Sequence, residues 1–482
     1  MKYNAIILTG FSNMVPRRSI GAYRVRTVIE NLGYTARVIE YADRISDEVL
    51  NKLLDGFIGN ETLFIGVSST FLQPCDIQRF VKLINRKKLQ YPRIQFLLGG
   101  ARTHFNTEVG ADVIISGYSD RAVEEYMKYV DNKSHELIYE TYTTTANKTY
   151  IHVNGNKHYK DVDMYNLKTV WKTEDDIHPE DALPIEISRG CIFKCSFCYF
   201  PLNGKAKFDY FRSVDELAAE LQYNYDTFGV TSYSFLDDTY NDSREKIQFL
   251  DDVLSRLDFK IKYSVYIKPE LLVSWPETQQ QLVEQGLESA VMGVESFNPV
   301  TRKYIGKGMP MEKIDEAVIN MRKYGNGQLS TAYNMIVGLP FESIDSTLES
   351  YEYIKTAEHI DTWHWNILGI QSLKDPNVTP SLIDNNPEYY GYTITHDDGF
   401  RRLWKNEHTT FDEGKKVRDW LDRDSVNYRR IGGWVVPLIR NANINVSEHI
   451  CKTVYKDFDW DGMKKKINQR VRKYVEKQLQ DV

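Results

Sequence analysis

The 482-residue chain carries 61 basic and 67 acidic residues, a net charge of -6, with both signs scattered along most of its length. That balance argues against a dedicated nucleic-acid-binding face, while leaving nucleic acid open as a bound partner. Apolar runs such as Ala5–Leu8 and Phe96–Leu98 are far shorter than the roughly 18 residues that cross a bilayer or the core of a signal peptide, so no membrane partner is expected and the chain reads as cytoplasmic.

The length suits two or three domains of about 100 to 200 residues each. The five cysteines are odd in number and three fall within eight residues. This speaks against a disulfide framework and for a metal or redox use in a reducing compartment.

In chain order, strand-like runs at Ala5–Leu8, Arg37–Ile39, Leu63–Ser68, Ile94–Leu98 and Asp112–Ser116 alternate with helical patterns. The alternation predicts a doubly wound, Rossmann-like parallel sheet over residues 1–130 of an α/β protein. Between the first two strands a helix puts Val25, Val28, Ile29 and Leu32 on one face and closes at Gly33, whose missing side chain suits a left-handed terminus.

Residues 131–181 are polar, rich in Thr, Tyr, Asn and Lys, and without sustained periodicity; they predict a connector with some β-structure. Alternation resumes with strands near Pro184–Ser188, Thr231–Leu236, Ile261–Ile267, Ser289–Val294, Thr331–Val337 and Trp363–Ile370. Six strand-helix units predict a partial (β/α)6 barrel or an open sheet over 182–372, with the chemistry at the carboxyl ends of the strands. The helix after the first of these strands starts with a Ser213 and Glu216 capping pair and presents Val214, Leu217, Ala218, Leu221 and Tyr225 as its inward stripe. Residues 373–482 predict a mainly helical C-terminal region. It ends in an amphipathic helix with Met463, Ile467, Val471 and Val475 inward. Lys464, Lys465, Arg472 and Lys473 on the other face are either solvated or aimed at a phosphate.

The loop leaving the first barrel strand reads Arg189-Gly190-Cys191-Ile192-Phe193-Lys194-Cys195-Ser196-Phe197-Cys198-Tyr199. Thiolates are soft ligands that favour iron-sulfur clusters, zinc or cuprous ions. A closed zinc site needs a fourth protein ligand, and none stands at a suitable local spacing. Three thiols from one short loop leave one corner of a four-iron cluster open.

This spacing, with aromatic Phe197 directly before the last cysteine, resembles the signature of the radical S-adenosylmethionine (SAM) superfamily. The resemblance implies a [4Fe-4S] cluster on Cys191, Cys195 and Cys198 whose open iron is chelated by SAM. It also implies reductive cleavage to methionine and a 5'-deoxyadenosyl radical, with the electron drawn from an external donor such as flavodoxin or ferredoxin. Three further segments are similar to the family's SAM contacts. Phe235-Leu236-Asp237-Asp238 resembles the acidic strand end that receives the SAM amino group, although Asp237 and Asp238 equally suit a helix cap. Gly293-Val294-Glu295-Ser296, followed by Lys303 and Gly306-Lys307-Gly308, is similar to the segment near the ribose and carboxylate, with Glu295 and Ser296 as candidates. Ile336-Val337-Gly338-Leu339-Pro340-Phe341-Glu342 is close to the turn whose Gly338 and Pro340 would lie against adenine; a tight turn alone also accounts for the glycine.

The leading domain resembles the cobalamin-binding domains that precede the barrel in one large subgroup. Ser68, Ser69, Gly99, Gly100 and Gly117 stand at successive strand ends, where small side chains would admit the nucleotide tail. The subgroup's Asp-x-His-x-x-Gly motif is absent after the first strand, where Pro16-Arg17-Arg18-Ser19-Ile20-Gly21 stands. A bound cobalamin would therefore lack a protein His ligand from that motif; otherwise the domain is a relic or holds something else.

The resemblance implies methyl transfer to an unactivated carbon or to phosphorus, on a small-molecule or peptide substrate. The alternatives are a cobalamin-independent rearrangement, cyclisation or sulfur insertion, and a non-catalytic iron-sulfur electron carrier. The tRNA methylthiotransferase version calls for three more clustered cysteines in the leading domain, where Cys75 stands alone. Cys75 and Cys451 read as small buried thiols. His104, His364 and His408 read as proton donors, substrate contacts or hydrogen-bonded structure, and Trp363, Trp365 and Trp434 as core or cavity lining. No motif assigns the substrate or a catalytic residue acting on it.

Overall fold

The computed structural model describes residues 1–10, 18–100, 110–132, 137–143, 148–158, 163–199, 210–374, 379–399 and 401–482. They form two units, Met1–His178 with Lys464–Val482, and Pro179–Met463.

The first unit is built on a seven-stranded sheet of order β2-β1-β3-β4-β5-β7-β6. Strands β1 (Ala5–Thr9), β2 (Ala36–Ile39), β3 (Phe64–Ser68), β4 (Gln95–Gly99) and β5 (Val113–Ser116) are the five expected from the sequence. Two more, β6 (Glu140–Thr143) and β7 (Thr149–Asn154), come from the stretch expected as a connector with some β-structure. β7 pairs parallel with β5 and β6 antiparallel with β7. β6 is a short edge strand that alternates half-buried and exposed residues, so its composition is that of a loop.

The helix Ile20–Asn31 closes at Gly33 with φ +86, as expected. Its buried face differs from the expected stripe. Tyr23, Arg26, Thr27, Val28 and Ile29 are buried, whereas Val25 and Leu32 are half-buried. Arg26 tolerates burial because its two terminal nitrogens each donate to an Asp175 carboxylate oxygen at 2.6 Å, and Nη2 also donates to Val170 O at 2.8 Å. A hydropathy pattern places arginine at the surface, and the partner that reverses this lies 149 residues away.

The helix Trp460–Gln480 enters this unit from Lys464 onward. The Glu40 backbone N–H donates to Tyr474 Oη at 3.0 Å, and Arg37 Nη2 donates to Gln478 Oε1 and Asp481 Oδ2 at 2.5 and 2.7 Å. Met463, Ile467 and Val471 are buried as expected, and Tyr474 rather than Val475 completes the stripe.

The second unit carries six parallel strands of order β13-β12-β11-β10-β9-β8. They are β8 (Ala182–Glu186), β9 (Ser232–Leu236), β10 (Lys262–Ile267), β11 (Leu287–Glu295), β12 (Ser330–Val337) and β13 (Thr362–Ile367). β8 and β13 are not paired with each other, so the barrel stays open. Tyr266, Val291, Ala332 and Thr362 are register partners. A glycine-rich turn packs against them: a Cβ on Gly433 would meet Ala332 and Thr362 side chains at 3.0 and 3.1 Å, and Trp434 Nε1 donates to Tyr266 Oη at 2.9 Å. The turn closes the barrel floor. Because side chains alternate along a strand, Gly293, Asn334 and His364, register partners two residues further on, face the interior above it.

Trp363 and Trp365 lie on the opposite face, both against Tyr351, with Trp363 Nε1 donating to Ser425 Oγ at 2.7 Å. The three tryptophans are thus split between core and floor. On the helix Val214–Phe228, Ser213 caps through Glu216 N as expected, but Tyr225 is 37% exposed and stacks on Phe259 instead of joining the stripe. The C-terminal region is mainly helical, with a small antiparallel sheet of order β14-β16-β15: β14 (Ile370–Gln371), β15 (Thr393–Asp397) and β16 (Arg401–Lys405). Cys75 is exposed, contrary to expectation, and Cys451 is half-buried. Among the described residues no helix is long and apolar enough to cross a membrane.

Arg26 and Asp175 form an ion pair with side chains 0% and 2% exposed. Asp175→Ala leaves the guanidinium buried without its counter-charge and is expected to lower stability by about 3–5 kcal/mol, read as a drop in the urea midpoint.

Candidate functional site

The cysteine loop hangs from the ends of β8 and β9. Ile187 N–H donates to Leu236 O at 3.2 Å and Arg189 N–H to Tyr210 O at 3.2 Å. Under it lies a buried Lys246, from the helix Arg244–Leu254. Its Nζ donates to Ser188 Oγ at 2.9 Å, Asp237 Oδ1 at 2.8 Å and Thr239 O at 3.1 Å, and reaches Asp237 Oδ2 at 2.7 Å. Asp237 also accepts from Ser188 Oγ at 2.8 Å and Thr239 N–H at 2.9 Å. Both its oxygens are filled, so Asp237 anchors the strand end and is not available to SAM.

Asp238 points elsewhere. Its Oδ2 accepts the Gly190 N–H at 2.8 Å, directly before Cys191. Burial and the adjacent Asp237 push its carboxyl up to about 6 against the pull of Gly190. Cys191 is buried, with Sγ 3.2 Å from Thr239 Oγ1. Cys198 N–H donates to Cys195 O at 3.0 Å, closing a turn, and Ser196 N–H donates to Ile305 O at 3.3 Å. Phe197 packs against the apolar cluster of Ile305, Leu339, Ile383 and Tyr390, which accounts for an aromatic there without a ligand.

On β11, Glu295 has φ +71, a left-handed conformation that costs a non-glycine residue about 1–3 kcal/mol. A Cβ on Gly293 would stand 2.5 Å from Glu295 Oε1, so the glycine makes room for this carboxylate. Lys307 Nζ donates to Gly293 O at 2.7 Å and lies 3.9 Å from Glu295 Oε1. Burial pushes the Glu295 carboxyl up to about 7, with Lys307 opposing. Ser296 is fully buried and its Oγ donates to Glu342 Oε1 at 2.7 Å, so it braces the β12 turn from behind. Glu342 Oε2 has no hydrogen-bond partner among the described residues, and burial pushes this carboxyl up to about 8. Gly338 has φ +83, and a Cβ there would sit 2.3 Å from the Trp404 ring. Pro340 O accepts from Thr301 Oγ1 at 2.8 Å.

Sequence reasoning missed Lys246 and Lys268. Lys268 directly follows β10; its Nζ lies 4.9 Å from the Phe193 ring centroid and 3.6 Å from Glu270 Oε2, and makes no hydrogen bond among the described residues. Burial and Lys307 push this ammonium down. Glu270 is engaged by Arg302 at 3.0 Å. The available signal was a lysine closing an apolar strand, Val265-Tyr266-Ile267-Lys268.

The donor set fits a cluster with SAM. A closed zinc site would call for a fourth protein donor beside Cys191, Cys195 and Cys198. Three thiols, the Lys268 ammonium, without a hydrogen bond among the described residues, and the Asp238 carboxylate stand at the carboxyl ends of β8 to β10.

In the first unit, Ser69 Oγ and Thr9 Oγ1 are buried without hydrogen-bond partners among the described residues. Gly100, at φ +110, brings its backbone so close to Ser69 and Thr70 that a Cβ would meet them at 2.9 to 3.0 Å. Gly99 ends β4 and Gly117 has φ +74. Ser68 Oγ is 3.1 Å from Ser19 Oγ. Small groups with spare polar atoms at these strand ends fit a polar ligand tail. His104 lies outside the described residues, and His408 is exposed.

Residues 185–354 match the family model of the radical SAM superfamily. The chain is 29% identical over 202 residues to an uncharacterized methyltransferase of Pyrococcus horikoshii, covering 39% of each. It is 26% identical over 269 residues to the bacteriochlorophyllide d C-8(2)-methyltransferase of Chlorobaculum tepidum, spanning 52% of this chain and just 56% of that protein. The fold matches the radical SAM methyltransferase TsrM of Kitasatospora setae, solved with cobalamin and a [4Fe-4S] cluster bound, at a TM-score of 0.64 and 13% identity, over 99% of this chain and 100% of that one.

Gly338→Ala is expected to destabilise the second unit, because it adds left-handed strain to a clash with buried Trp404; a lowered thermal midpoint measures it. Burial, with Arg429 adding repulsion, holds the His364 imidazole down at about 4 from its ordinary 6.5. The unfolded chain therefore binds the extra proton first, and stability falls as pH drops through the window from 6.5 to 4. His364→Gln is expected to flatten that part of the melting-temperature profile.

Proposed function

We propose that the chain is a radical SAM enzyme that carries a [4Fe-4S] cluster on Cys191, Cys195 and Cys198, cleaves SAM reductively, and methylates an unactivated carbon or phosphorus by way of cobalamin. One observation carries the reading. Three thiols stand near an ammonium, Lys268, that makes no hydrogen bond among the described residues, and a carboxylate, Asp238, with acceptor capacity to spare. The methionine end of SAM has the complementary pair, an amino group and a carboxylate.

In this scheme Asp238 takes the SAM amino group and Lys268 its carboxylate, both as charge-assisted contacts in a partly desolvated site. Glu295 faces the ribose, and the Gly338–Pro340 backbone lies along the adenine. Asp237, Ser296 and Lys246 touch no ligand and fix the residues that do. A bound cluster supplies a single electron to the SAM sulfonium, replenished by an external donor of the flavodoxin or ferredoxin type in a reducing, cytoplasmic setting.

Ser69, Thr9 and the Gly99–Gly100 turn would hold the cobalamin tail, with no His ligand from the missing motif; a bound corrin supplies the methyl carrier. The fold shared with TsrM and the relatives named as methyltransferases support methyl transfer over other radical outcomes. The substrate is taken to be a small molecule or peptide.

Anaerobic reconstitution is expected to load about four irons per chain, and SAM with dithionite to yield 5'-deoxyadenosine. Replacing the three cysteines together by alanine abolishes both. Asp238→Ala is expected to raise the Kd for SAM about tenfold, from the loss of one charge-assisted hydrogen bond. Added hydroxocobalamin should co-elute with the protein. Absence of corrin while SAM cleavage persists removes the cobalamin part. Substrate-dependent products without methyl gain favour cyclisation, rearrangement or sulfur insertion, and a cluster with no 5'-deoxyadenosine favours an electron carrier.

A further inference from the structure

Cys191 is held from the end of β9, through Asp238 and Thr239; the segment of Cys198 is held from the other direction. Tyr199, directly after Cys198, donates its hydroxyl to Gly369 O at 2.7 Å and lies 3.3 Å from Asp384 Oδ1. Asp384 is fully buried. Its Oδ1 also accepts the Gln371 N–H at 2.7 Å and its Oδ2 the Ser381 N–H at 2.7 Å, and Ser381 Oγ returns a contact to Asp384 N–H at 3.1 Å. One residue before it, Ile383 N–H donates to Ser196 O at 2.9 Å, inside the cysteine loop. Arg402 closes the knot by donating Nε to Gln371 O at 2.7 Å and a terminal nitrogen to Asp384 O.

A single buried carboxylate thus gathers three separate stretches, at 371, 381–384 and 199. Three hydrogen bonds join this knot or its neighbours to the segment from Ser196 to Tyr199. None of these residues is a thiol ligand, and none belongs to the six barrel strands. Partners around metal ligands orient them, and hydrogen bonding and solvent access tune an iron-sulfur potential.

Resting on the cluster reading above, we infer that Tyr199 and Asp384 are positioning residues that fix the pose of Cys198, so that the segment following the barrel sets the cluster's retention and its reduction potential. The isosteric Tyr199→Phe keeps the ring and removes only the hydroxyl, so the fold is retained. Asp384→Asn keeps one acceptor oxygen, whereas Asp384→Ala loses both.

The test uses reconstituted full-length protein. Tyr199→Phe is expected to match the wild-type thermal midpoint before reconstitution. After it, the variant should release iron to an excess of ferrous chelator about tenfold faster. Its midpoint potential, read by electron paramagnetic resonance during reductive titration, should shift, and its SAM-induced signal should broaden. Asp384→Asn should lie between Tyr199→Phe and Asp384→Ala in release rate. Tyr165→Phe, at a residue 65% exposed, serves as the control and should behave as wild type. Wild-type release rate, potential and line shape in Tyr199→Phe would overturn the inference while leaving the cluster reading intact. A wild-type chain that takes up no four-iron cluster would overturn both.

Discussion

One buried ammonium fixes where the chemistry stands. Lys246 has no exposure and neither does its partner Asp237, and between them they tie the end of β8, through Ser188, to the end of β9, through Thr239 O. The cysteine loop and Asp238 emerge from those two strand ends. Opposite charges in an apolar interior are costly to place and costlier to separate: removing Lys246 strands Asp237 at about 3–5 kcal/mol, with Asp242 Oδ1 also 3.6 Å from the same ammonium. Such a pair has little tolerance for displacement, and that suits a scaffold holding thiols in a set arrangement.

The adjacent aspartates divide the work. Just past the end of β9, Asp237 turns toward the buried Lys246 while Asp238 turns to the Gly190 amide beside Cys191. Two identical side chains are indistinguishable as letters, and only their partners separate anchor from contact. Along β13, side-chain alternation puts His364 in the barrel interior while Trp363 and Trp365 pack outward.

Most of the strand plan was legible because buried parallel strands are apolar and bounded by turns, as at Ile261–Ile267 and Thr331–Val337. The cysteine spacing was legible because three thiols within eight residues have few structural uses. What escaped were features that depend on distant partners. Arg26 is buried by a partner 149 residues away that no hydropathy pattern shows, and the connector's β-structure was legible only in outline because the faces of β6 are polar. Lys246 stands in the first turn of its helix with nothing to mark it as the clamp, and the sequence leaves Asp237 open between SAM contact and helix cap because its partner is not adjacent to it. The role of Asp384 in gathering Tyr199, Gln371 and Ser381 likewise has no local signature.

The helix Trp460–Gln480 carries a consequence for biogenesis. Its residues from Lys464 onward complete the first unit by supplying Tyr474 to Glu40 and Gln478 to Arg37. The barrel unit is therefore an insertion within a discontinuous domain. During translation the sheet β1 to β7 leaves the ribosome with one flank uncovered, and it stays so until the whole barrel has been synthesised. Assembly of the two units is thereby ordered in time, with the earliest-made sheet the last to be sealed.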